Sequence, residues 1–142
     1  MTLTLDAAQT IIKVALDHGR AANFKPLGIV ILDIRGAVKA AVLQDGSSLS
    51  RFDIARAKAK ACLAFDRGTR AFEKIATDRL HFFIGAASAV EGGLVPVAGG
   101  VLIRDKNGTI LGAVGVSGDT SDNDEAAAVA GINAAGLVAD GG

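Results

Sequence analysis

Asp33, Lys58 and His81 are the side chains in this sequence with the widest chemical reach: a carboxylate, an amine and an imidazole. With Arg104 and the acidic group from Asp119 to Glu125 they could do general acid/base work on a small polar organic molecule, provided that burial shifts a pKa and the chain folds them together. Spacing alone does not bring them together, and each has a structural role open to it: Asp33 can shape a turn, Lys58 can pair with an acid, and Arg104 can sit solvated at a strand end. Ser117 and the single cysteine, Cys62, lack any local activating motif, so neither is assigned as a nucleophile.

The densest polar stretch is GAVGVSGDTSDNDEAA, residues 112 to 127. Asp119, Ser121, Asn123 and Glu125 alternate like the first ligands of a calcium loop. The sixth position, however, is Asp124 instead of Gly, and the twelfth is Ala130 instead of a bidentate Glu, which leaves at most a weaker cation site. No Gly-Lys-Ser/Thr follows the glycines and the carboxylates would repel phosphate, so no nucleotide cofactor is indicated. Ser121 with Asp124, or Asp122 with Glu125, has capping-box spacing, and acids suit the first turn of a helix. Capping needs one or two such residues. The surplus points to a site or a subunit contact.

The elements that must position these residues fit one domain over residues 1–142. Lys+Arg and Asp+Glu balance at 15 each, which argues against nucleic acid or an anionic membrane as partner. The start carries Asp6 and no basic-then-apolar segment, and no stretch is apolar enough to span a bilayer, so the expected location is cytoplasmic. Eighteen glycines, many alanines and no Trp or Tyr imply elements that pack through small side chains.

Helical spacing of Ala8, Ile11, Ile12, Ala15 and Leu16 after Thr4 predicts a first helix to about Asn23. GIVILDIRGAVKAAVL predicts a hairpin turning at Asp33 to Gly36. A helix from Ser50 is expected to end at Gly68, and a shorter one to cover Arg70 to Ala76. Leu80 to Val90 fits a helix or a strand. LVPV, residues 94 to 97, reads as a short edge strand because Pro96 donates no ladder hydrogen bond. GGVLIRDKNGTILGAVGVS reads as a second hairpin with Asn107-Gly108 at its tip, and the last helix takes most of Asp122 to Val138. The pattern is α+β: an antiparallel sheet with helices packed on it.

LDIRGAVKAAVL, IARAKAKACLAF and above all PVAGGVLIRDKNGTILGAVGVSGDTSDNDEAAAVAGI resemble the GlcG/HbpS family, which is related to the C-terminal domain of PduO. The resemblance runs over nearly the whole chain. It implies a profilin-like α+β fold with a five-stranded antiparallel sheet, assembly into dimers or larger homo-oligomers, and heme binding in some members. The family's hairpin aspartate falls on Asp33, its helix Lys-Ala pair on Lys58-Ala59, its double glycine on Gly99-Gly100 and its late acidic pair on Asp124-Glu125. Two departures stand out: Leu43-Gln44-Asp45-Gly46 where an Arg-Met-Asp-Gly type segment is common, and Asn123 where Gln is common.

Heme iron usually takes His, Cys, Met or Tyr, which here leaves His81, beside Phe82 and Phe83, or His18, late in the first helix. Each histidine also has a structural role open to it, His18 as a partly exposed helix-end cation and His81 at an interface or core edge. The expected ligand-binding set is His81, Phe82, Gly99, Gly100, Ser117, Gly118, Asp124 and Glu125. Three readings follow: a heme or other small-ligand binding homo-oligomer, an acid/base enzyme built on Asp33, Lys58 and His81, or a purely structural oligomeric module.

Overall fold

A computed structural model describes residues Met1 to Gly142. The chain runs α1 (Leu5–Ala21), β1 (Gly28–Asp33), β2 (Val38–Leu43), α2 (Ser50–Phe65), α3 (Arg70–Asp78), α4 (Leu80–Ala89), β3 (Gly100–Arg104), β4 (Ile110–Ser117), α5 (Ser121–Ala134) and β5 (Val138–Asp140). The strands form one antiparallel sheet in the order β2-β1-β4-β3-β5, so the fold is α+β with a five-stranded sheet.

Both faces of that sheet are covered, which is why β1 and β4 read as almost unbroken apolar runs. Alternation sends Ile29, Ile31, Val101, Ile103, Val114 and Val116 to one face, under α1 and α5. Val30, Leu32, Leu102 and Ala113 go to the other, under Ala55, Ala59 and Cys62 of α2. Burying each large aliphatic side chain contributes about 1.5–3 kcal/mol. The small residues set how closely the layers approach: a Cβ on Gly115 would run into the Ala55 carbonyl, so the α2 backbone lies directly on the sheet. A third cluster, Ala61, Phe72 and Leu94, lies beneath α3 and α4, with Phe65 and Phe72 edge to face at 5.2 Å.

Five strands were expected, but the fifth comes from elsewhere in the chain. LVPV is irregular; the fifth strand is β5, which starts at Val138, where the stretch assigned to the last helix ended, and runs beyond it. Gly136, at φ 74, turns the chain out of α5, and Val138 to Asp140 then pair with Arg104 to Leu102, taking the open edge of β3. Several helix ends differ as well. α1 stops at Ala21, with Asn23 left-handed at φ 58, and α3 runs on to Asp78. α2 stops at Phe65, where Asp66 at φ 52 serves as the left-handed cap. Gly68 is needed for another reason, since a side chain there would overlap the backbone of Gly141. Leu80 to Ala89 is a helix. No helix is long and apolar enough to cross a membrane.

Candidate functional site

Seven of the expected ligand-site residues and candidate catalytic groups gather at one end of the sheet. Lys58 on α2 is 2% exposed and donates from Nζ to the Val116 carbonyl at 3.0 Å and to Asp124 Oδ2 at 3.2 Å. Asp124, in the first turn of α5, also accepts the Asp119 amide on Oδ1 at 2.9 Å. Gly99 closes the space, because a Cβ there would lie 2.6 Å from Lys58 Nζ and 2.8 Å from the Val116 carbonyl. Gly100 donates its amide to Thr69 Oγ1 at 2.8 Å, and Ser117 Oγ accepts from Arg51 at 3.1 Å. Gly118 lies against the Pro26 carbonyl, while Glu125 accepts from Arg70 Nε at 3.0 Å.

This node joins elements and seals the space between them. Burial pulls the Lys58 amine below the usual lysine range and pushes the Asp124 carboxyl above the usual carboxylate range, each shift partly opposed by attraction between the two. Desolvation outweighs the pairing for both groups, as expected for charges removed from water. Every buried side-chain polar atom has a hydrogen-bond partner.

The surplus acids of residues 119 to 125 find their partners inside the chain. Asp119 accepts the amides of Lys25 at 2.7 Å and Thr120 at 2.9 Å, plus the Asn123 side chain at 2.7 Å. These bonds, the Lys25 amide foremost, hold its carboxyl below the usual range. Asp122 joins Glu125 in clamping Arg70. The helix cap is Thr120, which accepts the Asn123 amide at 3.2 Å; it replaces the Ser121 and Asp122 caps expected from spacing.

Asp33 and His81 lie away from the node. Asp33 folds the β1–β2 turn, accepting from the amides of Arg35 and Ala37 and from the Arg35 side chain, which holds its carboxyl low. It pairs with Gly112, four residues along β4 from the Val116 carbonyl that Lys58 reaches, a span of about 13 Å at strand rise. His81 is exposed on α4, beside Phe82, whose ring carries the Arg79 guanidinium at 4.4 Å. His18 is half-buried, edge-on to Phe24 at 5.6 Å. The acid/base trio therefore shares no substrate-sized site, and its lysine is closed off from solvent.

The largest concavity lies elsewhere, between α1 and the edge strand β2. This groove of about 560 Å³ has a floor of Ile12, Leu16, Ala40 and Val42 and a rim of Lys13, Asp17 and Arg20. Asp17 bonds Lys13 at 2.9 Å and Arg20 at 3.1 Å, and the Lys13 hydrogen bond leads in holding its carboxyl low. An apolar floor beneath a rim of two cations that share one carboxylate suits a flat amphipathic molecule. Neither histidine lines it.

Sequence reasoning did not single out Thr69, Arg51 or Arg70 for their roles in the node. The two arginines left a signal, since each lies in the first turn of a helix, where a cation faces the wrong end of the dipole. A basic residue in that position needs an acceptor supplied from another element.

A family model described as "Haem degrading protein HbpS-like" matches residues 3–133. Among solved structures, the PduOC–heme complex superposes with a TM-score of 0.85 at 20% identity, over 96% of this chain and 97% of that one. Klebsiella pneumoniae protein ORFY gives 0.86 at 24% identity, over 96% and 92%. HbpS gives 0.80 at 22% identity, over 94% and 89%. No curated protein matches by sequence.

Proposed function

We propose, given that this chain belongs to the HbpS-like family, that it is a self-associating protein that binds a small ligand of the heme class. The observation that carries this reading is the α1–β2 groove. Its Leu16 and Val42 floor would receive an apolar ring system, and Lys13 and Arg20 would meet the carboxylates of the ring's side chains. When bound, heme supplies iron-centred redox and ligand-binding chemistry. The groove's apolar floor suits a porphyrin but its lining offers the iron no imidazole; His18 and His81, both outside it, would be the candidate axial ligands. Heme bound to a structural neighbour and a family description naming heme support the reading.

Hemin titration followed by absorbance tests it. A saturable Soret shift is expected, reduced at least about tenfold in affinity by Leu16→Asp in the groove floor. His18→Ala and His81→Ala then identify the iron ligand by which one changes the bound spectrum. A Soret band that the protein leaves unchanged rejects heme.

A further inference from the structure

The rim of the α1–β2 groove carries its charges in an order that bears on what the groove admits. Gln9, Lys13 and Asp17 recur every four residues along one row of α1, with Arg20 one turn beyond, while Ile12 and Leu16 form the neighbouring apolar row of the floor. Lys13 and Arg20 are seven residues apart, about 10 Å along the helix, and Asp17 stands between them. Its two oxygens are divided: Oδ2 accepts from Lys13 Nζ at 2.9 Å and Oδ1 from Arg20 Nη1 at 3.1 Å. Neither cation has another carboxylate within salt-bridge distance. A second concavity, of about 340 Å³, continues the groove past Leu16 and Val42 to Leu43, Gln44 and Asp45, and Arg20 is the one charged side chain that lines both.

We infer that Asp17 sets the specificity of the groove by competing with the ligand: its carboxylate occupies the positions on Lys13 and Arg20 that a ligand's acid groups would take. The geometry fixes how close that competition is. A ligand oxygen bonded to Lys13 Nζ or Arg20 Nη1 at about 2.8 Å comes within about 6 Å of the Asp17 oxygen already there. That is inside the screening length at physiological salt, so the two anions repel. Held below the usual carboxylate range, first of all by the Lys13 hydrogen bond, Asp17 stays ionised at neutral pH and does not relieve the repulsion by taking up a proton. The pairs themselves are weak, since all three side chains are more than half exposed. A ligand with two acid groups therefore displaces Asp17 at a cost that a ligand with neutral ends does not meet. The floor supplies affinity for the ring, and the rim discriminates on charge.

The inference rests on the porphyrin-class reading proposed above, and its test separates the two. Metal-free protoporphyrin IX and its dimethyl ester, titrated by fluorescence, take iron ligation out of the measurement and differ only in the two acid groups. Asp17→Asn should tighten binding of the free acid at least about threefold and leave the ester unchanged. Asp78→Asn is the matched control. Asp78 also pairs with a lysine four residues before it, at 3.1 Å, but lies on α3 outside the groove, so this variant should bind both porphyrins as the wild type does. Adding Lys13→Gln and Arg20→Gln to Asp17→Asn should cancel the gain. A wild type that binds neither porphyrin overturns the porphyrin-class reading and this inference with it. Porphyrin binding in which Asp17→Asn leaves the free acid unchanged or weakens it overturns the inference alone, weakening being the sign that Asp17 positions the two cations instead of competing for them. An equal gain for the ester, an equal gain from Asp78→Asn, or a gain that survives loss of both cations overturns it as well.

Discussion

Removing the Lys58 ammonium while keeping its bulk, by Lys58→Met, should be among the most damaging single substitutions in this protein. At 2% and 3% side-chain exposure the two partners have essentially no water to fall back on. Loss of the cation leaves the Asp124 carboxylate without its counterion and removes a donor from the Val116 carbonyl. Breaking a buried pair from one side costs about 3–5 kcal/mol. For 142 residues the unfolding entropy is about 0.3 kcal/mol per degree, so the melting temperature should fall by about 10–17 °C.

Asp124→Asn should cost a similar amount by stranding the lysine. The double variant should regain most of the loss, because the carboxamide oxygen introduced on α5 can still accept the Asp119 amide and no buried charge remains, giving a coupling above about 2 kcal/mol. The two single variants should respond to pH with opposite sign. A carboxyl raised by burial binds its proton more tightly in the folded state. Its contribution is therefore fully present below the unfolded value, 3.8, and is lost as pH rises through the folded value. The deficit of Lys58→Met should accordingly shrink toward acid. A lysine lowered by burial contributes above its unfolded value, 10.5, and loses that contribution as pH falls through the folded value, so the deficit of Asp124→Asn should shrink toward alkali. Thermal melts and urea titrations across pH 5 to 9 decide the matter. A Lys58→Met cost below about 1 kcal/mol, or parallel pH slopes for the two variants, would refute the reasoning.

Other consequences can be checked on the same material. Gly99→Ala forces a methyl to within 2.8 Å of the Val116 carbonyl at φ 120, a clash the backbone cannot relieve, and should lower stability by at least about 2 kcal/mol in urea unfolding. Asp119→Ala removes the acceptor for the Lys25 and Thr120 amides and should cost about 1–2 kcal/mol by melting. Because the Asp119 carboxyl is held low, that cost should be full above its unfolded value of 3.8 and disappear as pH falls through the folded value. Burial pushes the Cys62 thiol up to about 12, so iodoacetamide should label the native protein at least about 100-fold more slowly than the urea-unfolded chain. Equal labelling rates would mean that α2 opens readily from the sheet.

The amino-acid sequence alone determined the parts of this protein set by local patterning: the two hairpins, the helix start after Thr4, and an antiparallel α+β class. Those follow from periodicities of two and 3.6 and from turn residues, which act over a few neighbours. Tertiary structure decided which segment supplies the fifth strand, because Val138–Asp140 competes for the β3 edge only once the fold has brought α5 alongside it. It also decided what the acids of residues 119 to 125 do. Their partners, Lys25, Lys58 and Arg70, lie 94, 66 and 55 residues away from the acids they bond, beyond the reach of any local rule. The same separation gives Lys58 its role: its sequence neighbours describe an ordinary helical lysine, and only the closure of Gly99 and Asp124 over its amine takes it out of water.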